Sequence, residues 1–280
     1  MTGGTGNQGG AVAASLIKKG FKIKVLTRKP DSARAQNLQK QNAELVKGDL
    51  NDFNTYRNHL KDVDGIFSVQ TFEKGVDKEI KQGMDLVDLA KEYEVKHFIY
   101  SSVSGADLNT GIPHFGSKFK IENHIKQIGL PYTIIRPTSL FENFLLPQVR
   151  TRIEKGKLSS PINREKIQQF VSAVDIGEIS AEIFLNQDKY LEKTITIGAE
   201  EMSMQQVTDI FTEVLGQEIK YQKLPLFLTR LVMGKDLYKM FKWINGNDAV
   251  FIKDLTTFKK ENPNLTSLKQ WIKLNFKPIK

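Results

Sequence analysis

The sequence predicts an α/β protein built on a doubly wound parallel sheet. Three observations carry that expectation: a glycine-rich turn at the start of the chain, short apolar runs alternating with helix-period segments through the first half, and glycines where helices should stop. The 280 residues, 40 % hydrophobic and 26 % charged, suffice for one large core with a smaller annex.

The glycine turn comes first. In Thr2-Gly3-Gly4-Thr5-Gly6-Asn7-Gln8-Gly9-Gly10, Gly3, Gly6 and Gly9 recur every third residue and run into Ala11-Val12-Ala13-Ala14-Ser15-Leu16. Such spacing permits a tight turn with positive φ, lets backbone approach a pyrophosphate, and lets a helix pack closely on a sheet. The helix then aims its free N–H groups at the anion. A glycine triplet alone says little, but this one is followed by a helix pattern, a stop at Gly20, and an apolar run ending in Thr27 and Arg28.

Strands are predicted at 21–27, 43–47, 64–69, 96–102 and 131–136, with helices at 10–19, 52–60, 79–93 and 117–128. Right-handed crossovers between them place a ligand at the carboxyl ends of the strands. One element is missing. A dinucleotide-binding sheet sets its first, central strand just before the glycine loop, and here only Met1 and Thr2 precede Gly3. Because unpaired backbone in the middle of a sheet is costly, the expectation is that the native start lies a few residues upstream and that an apolar strand precedes Thr2.

The alternation weakens after about residue 150. Residues 1–150 are expected to form the nucleotide-binding domain, with about 168–186 returning to it as a strand and a helix capped by Asp175, and 151–280 a smaller substrate or partner subdomain of α+β character. There, 193–198 reads as a strand, 203–215 as a helix ended by Gly216, and 226–244 as one apolar-rich helical stretch.

Composition excludes several chemistries. With no cysteine there is no disulfide, thiolate metal site or cysteine nucleophile, and the scattered His59, His97, His114 and His124 do not suggest a metal. No run has the apolar length of a membrane span, and a cytoplasmic location is expected. Residues 220–280 carry 13 basic and 4 acidic side chains, a net +9 equal to that of the whole chain, so residues 1–219 balance. A lysine-rich solvated face accounts for this more simply than an anionic partner, and nucleic acid is not expected. Residues 226–244, where Leu228, Leu231, Val232, Met240, Phe241 and Trp243 alternate with Arg230, Lys235, Lys239 and Lys242, read as a lid over a pocket, or as a surface for a partner or membrane.

The strand ends carry the chemistry. An NAD site wants a carboxylate at the end of its second strand, whereas a 2′-phosphate wants a cation, and the residues there are Thr27, Arg28 and Lys29. Arg28 presents a planar fork that suits phosphate, and Thr27 adds a hydroxyl, so NADP(H) is the expected cofactor. Asp49, followed by Leu50, either accepts from the adenine amino group or caps the next helix. Counting the missing first strand, Val69, Gln70 and Thr71 end the fourth strand, facing the ribose and nicotinamide, and Ser101 and Ser102 end the fifth, where hydroxyls meet a substrate. His114 and Lys118 stand four apart, on one helix face if the helix has begun; Lys118 can hydrogen-bond the nicotinamide ribose and lower the pKa of a neighbouring acid such as His114.

Together, Thr2 to Gly10, Arg28, Gly48-Asp49-Leu50, Ser101-Ser102, His114 to Lys118, Arg136-Pro137-Thr138-Ser139-Leu140-Phe141-Glu142-Asn143, Asp175-Ile176-Gly177 and Trp271 resemble the NmrA-like family of atypical short-chain dehydrogenase/reductases. The resemblance implies a Rossmann-type fold with a nicotinamide nucleotide held by Gly3, Thr5, Gly6, Asn7, Gln8 and Gly9, and with Phe141 and Asn143 near the nicotinamide. Ordinary members of the wider group use a Tyr-x-x-x-Lys pair with a serine; here the tyrosine position is His114, leaving Lys118, His114 and Ser102 as the catalytic candidates. Two roles follow from the resemblance: an NADPH-dependent reductase of quinones or similar small conjugated carbonyls, or a non-catalytic sensor of NADPH/NADP that acts on a regulatory protein. Pairing as a homodimer is left open.

Overall fold

The computed structural model describes residues 1–277. The chain divides into two compact units, one made of Met1–Asn109, Pro113–Pro137 and Ala173–Ile195, the other of Thr110–Ile112, Thr138–Ser172 and the described chain from 196 onward. The fold is Rossmann-type α/β, as the sequence predicts.

The first unit contains α1 (Asn7–Lys18), β1 (Lys24–Thr27), α2 (Ala33–Lys40), β2 (Glu44–Lys47), β3 (Gly65–Ser68), α3 (Val76–Glu92), β4 (His97–Ser101), α4 (Pro113–Gln127) and β5 (Tyr132–Pro137). β1 pairs in parallel with β2, and β3, β4 and β5 pair in parallel in that order. The strand beginning at Lys193 lies beside β5. Between the two parallel groups sit Met1 and Thr2. Leu26 N–H donates to the Met1 carbonyl at 3.0 Å, and Thr2 N–H donates to the Phe67 carbonyl at 3.0 Å, so these two residues bridge β1 and β3 in the central position. All strand directions being equal, the carboxyl ends of β1 to β4 share one edge.

The core explains the strand and helix assignments. Phe98 and Tyr100 from β4 and Ile134 from β5 lie under Leu86, Val87 and Ala90 of α3 and Ile121 and Ile125 of α4, all buried. Such near-continuous burial along β4 is what a parallel strand covered on both faces requires. Helix α3 is longer than expected and α4 begins four residues early, at Pro113, a residue suited to the first helical position.

Three readings are corrected. Residues 52–60 form two short 3₁₀ turns, Phe53–Thr55 and Arg57–Leu60, because Asp52 caps the first and Tyr56, buried at 3 % exposure, breaks the run. The returning helix spans Ala173–Leu185, so Asp175 is a buried first-turn residue and not its cap. The 226–244 stretch is two helices, Leu226–Val232 and Gly234–Gly246, separated at Gly234, whose φ of +86° is outside the helical range. Helix α2 had no strong apolar period and was missed; Ser32 caps it by accepting from Ala35 N–H.

The second unit has its own aromatic core, with Phe141, Phe144, Phe170, Phe211, Trp271 and Phe276 packed together. Glu200–Ser203 runs antiparallel to Ile167–Val171, which pairs in parallel with Ser139–Leu140, and Lys220–Lys223 runs parallel to Lys157–Ser160. The 203–215 reading holds: Ser203 and Gln206 make a reciprocal cap for Met204–Leu215, and Gly216 ends it in the left-handed conformation. Among the described residues no helix is long and apolar enough to cross a membrane, and no group of three or more His, Cys, Asp or Glu side chains is placed to hold a metal ion.

Candidate functional site

The glycine loop is closed by contacts that leave no room for side chains. Gly3 has φ +63° and its carbonyl accepts from Gly6 N–H at 2.8 Å. A Cβ on Gly9 would stand 2.3 Å from the Gly3 oxygen, so only hydrogen fits where α1 begins. Gly6 is the N-cap of α1 with no side-chain hydrogen bond to the first turn, and no acidic residue lies there. The first-turn N–H groups therefore face a loop whose Gly3, Gly6 and Asn7 are exposed, the electrostatic setting for an anion.

Neighbouring elements fix this loop from three sides. Thr2 Oγ1 accepts from Val69 N–H at 2.8 Å and donates to the Val69 carbonyl at 3.0 Å. Ser101 Oγ, at the end of β4, donates to Gln8 Oε1 at 2.7 Å. Arg34, in α2, donates to the Thr5 carbonyl at 3.0 Å. Arg34 carries no sequence signal of its own, because α2 lacks an apolar period and only Ser32, its N-cap, marks the helix.

At the end of β1, Thr27 is buried and its hydroxyl accepts from Lys29 N–H, while Arg28 is exposed and has no acidic partner among the described residues. Asp49 is held locally: its Oδ1 accepts from Asn51 N–H at 3.0 Å and from Asn51 Nδ2 at 2.7 Å. Asp52, not Asp49, caps the turn that follows. Leu50 packs on the apolar cluster beneath. Thr71 is exposed and caps the turn Phe72–Lys74.

A buried polar cluster fills the ends of β3 and α4. Lys118 Nζ lies 2.9 Å from Glu79 Oε1, an ion pair off the line of a hydrogen bond, and donates to the Gln70 carbonyl at 3.3 Å. Ser117 Oγ donates to the other Glu79 oxygen, and Gln70 Nε2 donates to Ser68 Oγ at 2.8 Å. Gln70 Oε1 is buried without a hydrogen-bond partner among the described residues. The Tyr100 hydroxyl is likewise unpartnered, and burial, with Glu79 and Glu122 adding to it, pushes its pKa well above the usual phenol value. His114 and Lys118 do share α4, and the His114 ring stacks on Phe72 with centroids 4.2 Å apart.

Two expectations change here. Glu79 compensates the Lys118 charge, so Lys118 is not an uncompensated cation acting on a neighbouring acid. Ser102 is taken up by a carboxylate: its Oγ donates to buried Glu122 at 2.5 Å, and Glu122 also takes Arg136 Nε at 3.0 Å and Nη2 at 2.6 Å, with Arg136 Nη1 2.7 Å from Asp107. Ser102 thereby completes a buried carboxylate. Glu79 and Glu122 had no sequence signal, since their partners are remote in sequence. Phe141 and Asn143 belong to the second unit, where Phe141 stacks on Phe170 with no exposed surface and Asn143 is exposed.

The profile of the NmrA-like family matches residues 1–270. The chain belongs to the NmrA-like family. An NmrA-like family domain-containing oxidoreductase of Malbranchea aurantiaca is 31 % identical over 316 aligned positions, which cover 96 % of this chain and 94 % of that one. Three solved structures share the NmrA-like fold. Triphenylmethane reductase of Citrobacter sp., crystallised with NADP(H), superposes with a TM-score of 0.81 at 21 % identity, covering 98 % of both chains. An NADPH-dependent quinone oxidoreductase of Escherichia coli, crystallised with NADPH, gives 0.80 at 21 % identity over 99 % of each chain. NmrA itself, a negative transcriptional regulator crystallised with NADP, gives 0.78 at 19 % identity over 97 % of this chain and 93 % of that one.

Proposed function

We propose that this NmrA-like protein binds NADP(H) in the glycine loop and acts as an NADPH-dependent reductase of quinones or similar small conjugated carbonyls. The observation that carries the reading is Arg28, a cation exposed at the end of β1 with no acidic partner among the described residues, together with a loop where a Gly9 Cβ would meet backbone at 2.3 Å. Gly3, Thr5, Gly6, Asn7, Gln8 and Gly9 would hold the pyrophosphate, and Thr27 and Arg28 the 2′-phosphate. Asp49 and Leu50 would border the adenine, and Val69, Gln70, Thr71, Ser101 and Lys118 the ribose and nicotinamide. Phe141 and Asn143 enter only through the family resemblance. The unpartnered Gln70 Oε1 fits such a ligand, as a buried acceptor that lacks a donor.

The bound nucleotide supplies the hydride. The chain's own residues would orient it: Lys118, held between Glu79 and the Gln70 carbonyl, would offer an N–H to a ribose hydroxyl. No tyrosine stands four residues before Lys118, where His114 does, so acceptors that need little acid assistance, such as quinones, suit the site better than simple ketones. NADPH oxidation measured over a panel of quinones and ketones tests the reading, together with calorimetry against NADPH and NADH. Quinone turnover supports it, and equal affinity for the two nucleotides removes it.

The same absence of a tyrosine supports a second reading, a sensor of NADPH/NADP that regulates a protein partner, which the likeness to a transcriptional regulator keeps in view. Tight NADPH binding without turnover, and with nucleotide-dependent protease sensitivity around 226–244, favours it.

A further inference from the structure

Helix Leu226–Val232 is amphipathic the wrong way round. Thr229 is its buried residue, at 3 % exposure, with its hydroxyl donating to the Leu226 carbonyl at 2.6 Å. The apolar side chains stand outward: Phe227 is 65 % exposed, Leu228 40 %, Leu231 77 % and Val232 82 %, with Met233 at 39 % beyond the helix. Phe227 with Leu231 and Leu228 with Val232 are spaced four apart, so they form two adjacent ridges of one face. A globular protein rarely leaves so many large apolar side chains together in water unless something covers them.

The charges around this face indicate what does. Arg230, Lys235 and Lys242 are exposed, while Lys239 is tied to the Gly111 carbonyl at 3.2 Å, and Asp236 is the one acidic residue in 226–246. A second copy of the chain would bring this cationic rim against itself, which Coulomb repulsion opposes. A rigid protein partner would need a pocket for each of the projecting side chains. A fluid anionic surface needs none, because acyl chains close around a convex apolar ridge while headgroups meet the cations.

We propose that the Phe227–Val232 ridge docks on an anionic lipid bilayer, with Phe227, Leu231 and Val232 in the headgroup and acyl boundary and Arg230, Lys235 and Lys242 on the lipid phosphates. Docking is independent of the nucleotide reading, since it is measured without NADPH. It also gives the molecule access to apolar compounds that dissolve in bilayers.

The test uses the full chain with phosphatidylcholine vesicles, with and without phosphatidylglycerol, in a sedimentation assay. Sedimentation is expected with the phosphatidylglycerol vesicles only, weakened by about tenfold or more in high salt and in the Arg230→Glu/Lys235→Glu/Lys242→Glu variant. The Leu231→Asp/Val232→Asp variant, altered at exposed positions and checked for an unchanged urea midpoint, should stay in solution. In Phe227→Trp, an added blue-shifted emission component on vesicle addition reads insertion directly. The proposal fails if the wild-type chain stays in solution with anionic vesicles, or if the Leu231→Asp/Val232→Asp variant sediments as well as the wild type. It also fails if that variant raises the KM for a quinone while vesicle binding is absent, since the face would then cover a substrate; an acidic protein partner likewise requires that absence.

Discussion

Lys118 and Glu79 form an ion pair almost without water: Nζ lies 2.9 Å from Oε1, the glutamate side chain is 0 % exposed and the lysine side chain 10 %. Breaking one side of such a pair strands a charge, at a cost of about 3–5 kcal/mol. Glu79→Ala should therefore lower stability by roughly that amount in urea unfolding, while Glu79→Leu combined with Lys118→Met should recover most of it. The double variant would still bind NADPH poorly. A Glu79→Ala chain as stable as the wild type would show that the pair is not held in the native state.

Gly9→Ala adds a Cβ 2.3 Å from the Gly3 oxygen, and the clash is with backbone, which cannot swing aside. The loop must open. The expected result is a loss of NADPH affinity of about tenfold or more in calorimetry, the size of one lost charge-assisted hydrogen bond. Unchanged affinity would mean that the loop is not the phosphate site.

Arg28→Ala should erase the preference for NADP(H) over NAD(H) and leave NADH binding nearly unchanged. A charge-assisted contact of about 1.5–3 kcal/mol corresponds to roughly 10- to 150-fold in the ratio of the two dissociation constants. A variant that keeps the preference would transfer the role to another cation, for which Arg34, bonded to the Thr5 carbonyl, is the candidate.

His114→Ala should lower quinone turnover far less than the about 10²- to 10⁴-fold lost with a true acid catalyst. Its ring is stacked on Phe72, so part of any effect will be packing. Stopped-flow rates with a quinone, compared at several pH values, separate the two. A loss in the acid-catalyst range with an altered pH profile would make His114 the proton donor.

His97 gives the fold a pH dependence. It is fully buried, its Nε2 is 2.8 Å from Thr133 Oγ1, and burial lowers its pKa from 6.5 to about 4. The unfolded chain takes up a proton below about 6.5 while the folded one resists until about 4, so stability falls as pH drops through that window, by about 3 kcal/mol in all. Urea midpoints at pH 7 and 4.5 should differ more for the wild type than for His97→Gln. Equal differences would show that His97 is protonated without penalty.

The parts of the fold that local chemistry dictates could be read from the sequence. The glycine loop, the five parallel strands and the Gly216 helix stop each follow from a few adjacent residues. Helix α2 could not be read from period, because only Ala35 and Leu38 of its eight residues are buried. Residues 52–60 carry no signal that separates a helix from two 3₁₀ turns, since a polar run with two aromatic residues serves either. At the site, the strand-end residues were legible because the topology puts every strand end on one edge. Glu79 and Glu122 were not, for a buried carboxylate is explained only by the cation it meets, and the chain brings Lys118 and Arg136 to them from other elements.

The helix Ala173–Leu185 crosses α1 where Gly177 meets backbone: a Cβ there would stand 2.6 Å from the Ala11 oxygen. One wall of the N-terminal unit is thus supplied by chain that emerges only after Thr138–Ser172. During synthesis the first helix must wait, with its Ala11 and Ser15 side uncovered, until the ribosome has released residues some 160 positions further on. Loop closure over that span makes the late arrival of one helix a slow, non-local event. An N-terminal fragment that ends before it would uncover Phe21 and His97, which pack against Phe184, and be expected to associate or be degraded, whatever its glycine loop could otherwise bind.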